Sequence, residues 1–470
     1  MEDHSDFLPF NHEEDYSLIK KFEEMRSMGA LYYFDVEEFE ELIDYYIFEP
    51  NKTLVQEVIE LAKSQHPGSI SLILKEAETF VYSENPAKAI QLVEDIVLYD
   101  DSNPEHFFSK ASIYSMTDKK EKAIEILYRL IDISDAEDLE EAKMALAKEF
   151  QELGDFDRAV NLYLELLKEN PKNEDALIEL GLTCELSGLY DYGIKLITEF
   201  IDENPYSDFA WFSLGNMYLN IDNYEEAIRA FEYAVVVKED FTEAYFNLGS
   251  SLMKVERFDD AIVSFKESLT EDFQDPVTHN FIGHCYIVLE KNEKAIEHFQ
   301  QAVDFSPEYA DGWLGFAVAY SNLDQYNESL LYIEKALKLN PKNNYYKYFL
   351  ADVLFNMEKF EEAEKTYEQV YKSDLDNTGI FLDYAEALII NDKNQQALDL
   401  LVEGITKHPE EAILYYRYAA FMLQQGHEND AESILQLALE IDPDQSNQIF
   451  KFYPEASNFE SILDLIENYK

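Results

Sequence analysis

"DFAWFSLGNMYLNIDNYEEAIRAFEYAVVVKED", residues 208–240, carries the pattern that decides the fold. In each half of this stretch apolar residues recur three, four and seven positions apart, and a short polar segment separates the halves. This spacing predicts two amphipathic helices joined by a turn. Large and small residues alternate at fixed separations: Trp211, Leu214, Gly215, Tyr218, Ala227, Phe231 and Ala234. We expect Gly215 to let the two helices approach closely by meeting the ridge that contains Ala227, with Trp211, Tyr218 and Phe231 sealing the sides.

The same pattern returns every 34 residues along the chain. Moving forward, Gly215 is matched by Gly249 and Gly283, and moving backward it is matched by Gly181. A two-residue insertion near Asp135 to Asp138 breaks the phase once. Twelve units are predicted, and they start at residues 36, 70, 104, 140, 174, 208, 242, 276, 310, 344, 378 and 412.

This pattern resembles the tetratricopeptide repeat, a helix-turn-helix unit with W-x₂-L-G-x₂-Y followed by A-x₃-F-x₂-A and a closing proline. Residues 208–241 match every one of these positions except the last, where Glu239 replaces the proline. The resemblance covers about residues 36–445, and the units at 36–69 and 70–103 are its weakest members. It implies an all-α fold, a right-handed α-solenoid superhelix of about twelve helix pairs.

The ends of the chain differ from the middle. Residues 1–14 are acidic and are predicted to be disordered, and residues 15–35 are predicted to form a capping helix over the first repeat. Residues 446–470 are rich in aromatic and aliphatic side chains and are predicted to form capping helices, with Pro454 breaking the helix between them. Caps are expected because each repeat buries its apolar face only against its neighbours.

Acidic residues outnumber basic ones by 97 to 37, which gives a formal net charge of -60. Such a chain is unsuited to binding nucleic acids or anionic membranes, because both depend on Lys and Arg. It would attract a basic partner, although an acidic surface also serves solubility alone. Only Cys184 and Cys285 occur, which indicates a reducing compartment. With no signal-peptide core and no apolar run of about 20 residues, we expect a soluble cytoplasmic protein.

No nucleotide-binding, metalloprotease or hydrolase motif occurs in the sequence. The segment "HNFIGHC" brings His279, His284 and Cys285 close together, but zinc would need further donors on the same face, and His279 replaces the tryptophan of its repeat. "DLDNTG", residues 374–379, resembles the start of a calcium loop, but Glu386 comes one place too late for its last ligand. We therefore predict no catalytic residue, no cofactor and no metal site.

The resemblance further implies that the second, fifth, ninth and twelfth residues of each unit line the concave side of the superhelix. In the middle of the chain these positions are mostly apolar or aromatic, with a few amides and hydroxyls, and carboxylates such as Asp175, Glu243 and Asp311 lie at the edge. The candidate partner-binding residues are Phe209, Phe212, Asn216, Phe246, Ser250, Asn280, His284, Tyr345 and Tyr348.

Such a groove would suit an extended or helical peptide with apolar anchors and nearby Lys or Arg. Asn216 and Asn280 are the candidates for bonding the peptide backbone. In the alternative interpretation, the fifth and twelfth positions pack partly on adjacent first helices and are not free for a partner. We predict a non-catalytic protein-protein interaction scaffold. The competing hypothesis is a self-associating structural module, a homo-oligomer that dimerises through its C-terminal repeats.

Overall fold

The computed structural model describes residues 14–47, 52–83, 85–97, 103–134, 136–270, 274–373 and 377–469. In these ranges the chain forms 27 α-helices and no strand, so the predicted all-α repeat class is confirmed. The number of repeats and their starting residues stay a prediction. Most of the N-terminal segment that was predicted to be disordered, residues 1–13, lies outside the described residues.

After a first helix the chain runs as consecutive helix pairs up to α25, and two further α-helices follow. The helices are α1 (Glu14–Met28), α2 (Val36–Ile47), α3 (Lys52–Gln65), α4 (Ile70–Tyr82), α5 (Pro86–Val97), α6 (Pro104–Met116), α7 (Lys120–Ile133), α8 (Ala136–Glu152), α9 (Phe156–Glu169), α10 (Glu174–Ser187), α11 (Tyr190–Glu203), α12 (Asp208–Asn220), α13 (Tyr224–Val237), α14 (Thr242–Lys254), α15 (Phe258–Glu267), α16 (Pro276–Val288), α17 (Asn292–Phe305), α18 (Ala310–Asn322), α19 (Tyr326–Leu339), α20 (Asn344–Asn356), α21 (Phe360–Tyr371), α22 (Thr378–Ile390), α23 (Asn394–Lys407), α24 (Ala412–Gln424), α25 (Glu428–Ile441), α26 (Gln448–Phe452) and α27 (Glu460–Tyr469).

The chain divides into two compact units, Met1–Val237 and Lys238–Lys470. Unit 1 contains α1 to α13, and unit 2 contains α14 to α27. Each unit has apolar layers of its own, built where the two helices of a pair and the first helix of the next pair meet.

Polar residues at the junctions explain where many of the first helices begin. The Asn173 side chain accepts a hydrogen bond from the Ala176 backbone N–H at 2.7 Å, and Asp275 accepts one from Thr278 at 2.7 Å. These bonds satisfy backbone donors that have no partner inside the helix. Paired glutamates such as Glu225 and Glu226 lie in the first turn of second helices, where negative charge is favourable.

The turn inside a helix pair depends on one residue in the left-handed backbone region. In the units from 104 onward this residue has φ between 57° and 79°. The following residue then donates back into the helix, as when Asn223 N–H bonds the Tyr218 carbonyl at 2.9 Å. This is a common way to end a helix, and glycine suits it best. Here only some of the residues are glycine: Asp118, Gly154, Gly188, Asp222, Glu256, Glu290, Asp324, Glu358, Asp392 and Gly426.

In the units that start at 208, 242 and 276, the glycine of the motif faces a phenylalanine ring on the second helix of its own pair. A Cβ added at Gly215 would lie 2.5 Å from Phe231 Cε1, and one added at Gly283 would lie 2.4 Å from Phe299 Cε1. The expectation that Phe231 only seals the side of the contact is therefore wrong. The ring lies directly on the glycine, because Phe231 is one turn beyond Ala227 on the same ridge.

In three units the aromatic residue at the fourth position donates a hydrogen bond to the loop before the repeat. The indole Nε1 of Trp211 donates to the Pro205 carbonyl at 3.0 Å, and that of Trp313 donates to the Pro307 carbonyl at 2.9 Å. The Tyr415 hydroxyl reaches the Pro409 carbonyl in the same way at 3.1 Å. The large residue that opens the motif thus has a polar role in addition to its packing role.

Both ends bury apolar side chains against the neighbouring repeats. At the N-terminal end Phe22 of α1 and Phe34 are almost fully buried beside α2. At the C-terminal end Ile449, Ile462 and Ile466 pack against the last helix pair, and a 3₁₀ turn begins at Pro454 after α26 has ended. The exact limits of the two capping segments stay a prediction.

Candidate functional site

The second, fifth, ninth and twelfth residues of a unit fall on one side of its first helix, because these separations follow the 3.6-residue period of the α-helix. We call this side the first-helix face. The first-helix face includes residues of α10 and α12 in unit 1 and of α14, α16, α18 and α20 in unit 2.

On α12 of unit 1, the three predicted residues Phe209, Phe212 and Asn216 are half-buried. The Phe212 ring lies 5.8 Å from the Phe231 ring at an angle of 54°. The Asn216 carbonyl accepts a hydrogen bond from the Asn220 side chain at 3.1 Å. Phe212 therefore contributes to packing inside the pair while part of its side chain stays exposed.

On α10 of unit 1, the first-helix face is more exposed than on α12, and it carries the carboxylates of Asp175 and Glu185 beside its apolar residues. Ile178, Leu182 and Leu186 are 44%, 41% and 59% exposed. The opposite side of α10 buries Leu177, Leu180 and Cys184 in the core. Ile178 and Leu182 occupy the fifth and ninth positions of their unit, which the resemblance already placed on the concave side, and only Leu186 was not predicted. Leu186 lies at the thirteenth position, and its exposure depends on what the neighbouring helices leave uncovered.

On α14 of unit 2, Phe246 is held between two other rings. Its centroid lies 5.6 Å from that of Phe265 and 5.7 Å from that of Phe281, both in edge-to-face geometry. Ser250, one turn further along α14, is half-buried. The alternative interpretation therefore applies largely to Phe246, because much of its side chain packs within the fold.

On α16 the structure brings Asn280 and His284 together, four residues apart. Asn280 is only 6% exposed, and its Oδ1 has no hydrogen-bond partner among the described residues. Its side chain is within hydrogen-bond reach of the Tyr309 hydroxyl. Burial lowers the pKa of His284, and the Asp311 carboxylate only partly opposes this, so the imidazole is neutral at pH 7. The site is polar, uncharged at its centre and lined by the Phe299 ring.

On α20 the predicted tyrosines have different environments. Tyr345 is 57% exposed, whereas the Tyr348 hydroxyl donates a hydrogen bond to Asp383 on α22. Nearby, the Tyr367 hydroxyl donates to Asp352 Oδ1 at 2.6 Å, and burial raises the pKa of Asp352 to about 7. Burial also raises the pKa of Asp383. Asp383 and Tyr367 were not predicted, since they lie in other helices and no sequence spacing links them to Tyr348 and Asp352.

His279 of "HNFIGHC" has structural partners, and the cysteine of this segment, Cys285, is buried like Cys184. His279 Nδ1 lies 3.3 Å from His298 Nδ1, and His279 Nε2 lies 3.1 Å from Gln274 Oε1. Burial raises the pKa of the Cys184 thiol to about 11 and that of Cys285 to about 12, so neither is a thiolate nucleophile at neutral pH.

No group of three or more His, Cys, Asp or Glu side chains is arranged to hold a metal ion in the described part of the chain. Within the same residues, none of the helices combines the length and the apolar character that crossing a bilayer requires.

Comparison with known proteins agrees with this architecture. Family models described as tetratricopeptide repeats match residues 144–208 and 210–240, and the model for the C-terminal domain of cilia and flagella-associated protein 70, a tetratricopeptide repeat domain, matches residues 242–449. Repeated helix pairs and these matches define the class, an all-α repeat protein. The chain belongs to the tetratricopeptide repeat proteins.

Individual relatives match only part of the chain. Superkiller protein 3 of Schizosaccharomyces pombe is 32% identical over 92 residues, which are 20% of this chain and 7% of that protein. Human interferon-induced protein with tetratricopeptide repeats 2 is 28% identical over 152 residues, which are 30% of this chain and 32% of that protein. The chain therefore spans less than a third of the length of each relative. A crystal structure of the APC/C hetero-tetramer Cut9-Hcn1 aligns with a TM-score of 0.42 and 13% identity, over 90% of this chain and 93% of that one.

Proposed function

We propose that this protein is a non-catalytic scaffold that holds a segment of another protein against its first-helix face in unit 2. Proteins built from tetratricopeptide repeats are generally protein-interaction scaffolds. The proposed occupant is an extended or helical segment with apolar anchors and basic residues beside them. A net charge of -60 supports the choice of a basic partner and disfavours nucleic acid and anionic membranes. The proposed cytoplasmic setting is supported by Cys184 and Cys285, which are both free thiols.

The choice of site rests on one observation: the side-chain oxygen of Asn280 is buried and has no hydrogen-bond partner among the described residues. A buried acceptor without a partner costs about 1–3 kcal/mol, so an asparagine that served the fold alone would be better replaced by an apolar residue. The amide lies at the fifth position of α16, between the His284 ring and the Tyr309 hydroxyl. The oxygen is covered in this conformation, so a partner N–H would reach it only if the amide turned toward the groove on docking, and the new bond would then remove the cost.

The test compares capture of partners from the source lysate by the wild-type protein and by Asn280→Leu and Tyr345→Ala variants. We expect both variants to lose the same captured proteins. Asn280→Leu should change the melting temperature little, because it removes an unsatisfied buried oxygen together with the interaction between the amide and the Tyr309 hydroxyl. The matched control is Phe305→Ala, which removes an exposed ring from the second helix of a pair.

An unchanged set of captured proteins for both variants, with the fold intact, would show that this face of unit 2 is the wrong site. No observation favours the self-associating alternative. The aromatic residues on which it depended, Phe450, Phe452 and Phe459, are half-buried against α24 and α25 of the same chain. Asp464 and Glu467 are exposed on the last helix, and two copies would bring these carboxylates together.

A further inference from the structure

We propose that two junction loops of unit 1, residues 170–174 and 203–208, hold a polyproline II segment of another protein that carries Lys or Arg between its prolines. A junction loop connects the second helix of one pair to the first helix of the next pair. These loops lie at an edge of unit 1, so both the surface and the conformation of its occupant differ from those proposed for unit 2.

A cavity of about 660 Å³ lies between the two junction loops. Pro171 lines it from the first loop, and Pro205 and Tyr206 line it from the second. Tyr206 is 86% exposed, so its ring contributes little to packing within the fold. The volume is in the range of cavities that hold ligands in other proteins. The cavity thus combines room for an occupant with apolar rings along its wall.

The turn in the second junction loop does not depend on the Tyr206 ring. The turn is closed by a hydrogen bond from the Ser207 N–H to the Asn204 carbonyl at 3.1 Å. The first junction loop closes in the same way at 3.0 Å, with Lys172 where the tyrosine stands. A large exposed ring at a place where a charged side chain serves equally well indicates contact with a partner.

Two further rings lie beside the second junction loop, outside the lining of the cavity. The Trp211 indole donates to the Pro205 carbonyl at 3.0 Å and stacks on the Tyr233 ring, with the two centroids 4.5 Å apart. Tyr233 is 55% exposed. Grooves lined by aromatic rings are the surfaces on which proline-rich segments dock. The second junction loop therefore offers rings at the cavity and again at the Trp211–Tyr233 stack.

The spacing of the two loops favours a polyproline II helix as the occupant. The first helices that follow the loops, α10 and α12, pack directly on each other, and packed helices lie about 8–10 Å apart. A polyproline II helix advances about 3.1 Å per residue with three residues per turn, so prolines three residues apart recur about every 9 Å. Consecutive prolines of the segment can therefore meet consecutive junction loops.

The charges along the cavity favour Lys or Arg beside those prolines. Glu174, Glu203 and Asp208 line the cavity, and Lys172 is the one cation among its lining residues. A basic side chain of the segment would meet these carboxylates where it leaves the rings. A second copy of this chain is disfavoured as the occupant, because it would bring another charge of -60.

The probe is a labelled 12-residue peptide that repeats proline, alanine and lysine, so its prolines are three residues apart. Two reference peptides have every proline replaced, by glycine in one and by alanine in the other. All three peptides have the same charge, so the general attraction to an acidic protein is common to them. Binding is measured by fluorescence anisotropy at physiological salt, which screens that attraction. We expect the proline peptide to bind about tenfold more tightly than either reference.

Protein variants locate this preference on the surface. Tyr206→Ala should remove the preference for proline, because the exposed ring is the main contact for it. Circular dichroism verifies that the helix content is retained. The matched control is Tyr345→Ala, which removes a tyrosine of unit 2 that is also exposed and should keep the preference.

A second pair of variants tests the part played by the carboxylates. Glu174→Gln with Glu203→Gln should weaken binding of the proline peptide by about threefold. The control, Asp157→Asn with Asp191→Asn, removes the same charge from two exposed positions of unit 1 and should have a smaller effect. Equal effects of the two double variants would show that the lysines do not meet the cavity, which contradicts the proposed placement.

Three further results would overturn the proposal: equal binding of the proline and glycine peptides, a preference for proline that survives in Tyr206→Ala, or tightest binding of the alanine peptide. The last result would make a helix the occupant. Asn280→Leu should leave the preference unchanged, so failure of this proposal and failure of the unit 2 site remain distinguishable. If Asn280→Leu alone removed the preference, the peptide would be binding in unit 2.

Discussion

At the residue scale, the glycine of the repeat has two different environments that the sequence motif does not separate. Gly215 lies directly against Phe231, whereas Gly181 occupies the same position of its own unit and meets nothing closer than Ser213 at 3.9 Å from an added Cβ. The spacing of small and large residues predicted close helix contact at both. It could not predict which glycine is needed, because the answer depends on whether a ring stands opposite.

This difference predicts opposite effects for the same substitution. Gly215→Ala would place its Cβ 2.5 Å from Phe231, so we expect the free energy of unfolding to fall by about 1–3 kcal/mol. Gly181→Ala is the matched control, and it should raise the free energy by up to about 1 kcal/mol through better helix propensity. Urea unfolding of both variants checks this. Equal effects on stability would contradict the assigned packing.

At the element scale, the turn inside each pair shows how a repeat tolerates residues that do not suit it. Seven of the left-handed turn residues are Asp or Glu, although glycine adopts this conformation with least strain. The sequence indicated a short polar turn at these places. It did not indicate the left-handed residue, since an Asp or a Glu in a polar loop gives no such signal.

We therefore predict that glycine at one of these turns is stabilising. Glu256 has a φ of 62°, and Glu256→Gly should raise the free energy of unfolding by about 0.5–1 kcal/mol, net of the entropy that glycine adds to the unfolded chain. The reciprocal change, Gly188→Ala, should destabilise by about 1 kcal/mol because its φ of 68° strains any side chain. Chemical denaturation measures both, and a loss of stability in Glu256→Gly would refute the argument.

The candidate site was harder to predict from the sequence than the helices were. The repeat register placed Asn280, His284 and Tyr345 on one side of their helices, because helical periodicity alone decides this. The bond from Tyr348 to Asp383 joins residues of different repeats, and the exposure of Ile178 depends on what its neighbours leave uncovered. Both are tertiary properties. The period of 34 residues determines where a residue points, and contact with other helices determines what it meets.

At the scale of the whole molecule, unit 2 contains two partly buried titratable groups, His298 and Asp352, whose effects on stability oppose each other. Burial, with nearby His279 and Lys266, lowers the pKa of His298 from 6.5 to about 4. Burial raises the pKa of Asp352 from 3.8 to about 7, with Asp383 adding to the effect and the Tyr367 hydrogen bond opposing it. The folded state therefore keeps His298 neutral and Asp352 partly protonated near pH 7.

The two pKa shifts have opposite effects on how the free energy of unfolding depends on pH, and this difference can be tested. Below pH 6.5 the unfolded chain binds a proton at His298 that the folded chain does not, so the free energy of unfolding falls as the pH drops toward 4. Asp352 acts in reverse: its contribution is full below pH 3.8 and is lost as the pH rises through 7. His298→Gln should flatten the acid side of the stability profile.

The Asp352→Asn variant tests the alkaline side of the dependence of stability on pH. It retains an acceptor for the Tyr367 hydroxyl and should raise the free energy of unfolding at pH 8 by about 1–2 kcal/mol, with no gain at pH 4. Equilibrium unfolding at several pH values measures both variants. Profiles identical to that of the wild-type protein would contradict the assigned environments.

The two tryptophan indoles that donate hydrogen bonds to the Pro205 and Pro307 carbonyls have a practical consequence. The chain has two tryptophans, Trp211 in unit 1 and Trp313 in unit 2, and each ring is stacked on a tyrosine, Tyr233 or Tyr332. Intrinsic emission therefore supplies one optical reporter per unit without any added dye. In a Trp211→Phe protein the remaining signal follows unit 2 alone, and in Trp313→Phe it follows unit 1, so a partner or a denaturant can be assigned to the half of the chain on which it acts.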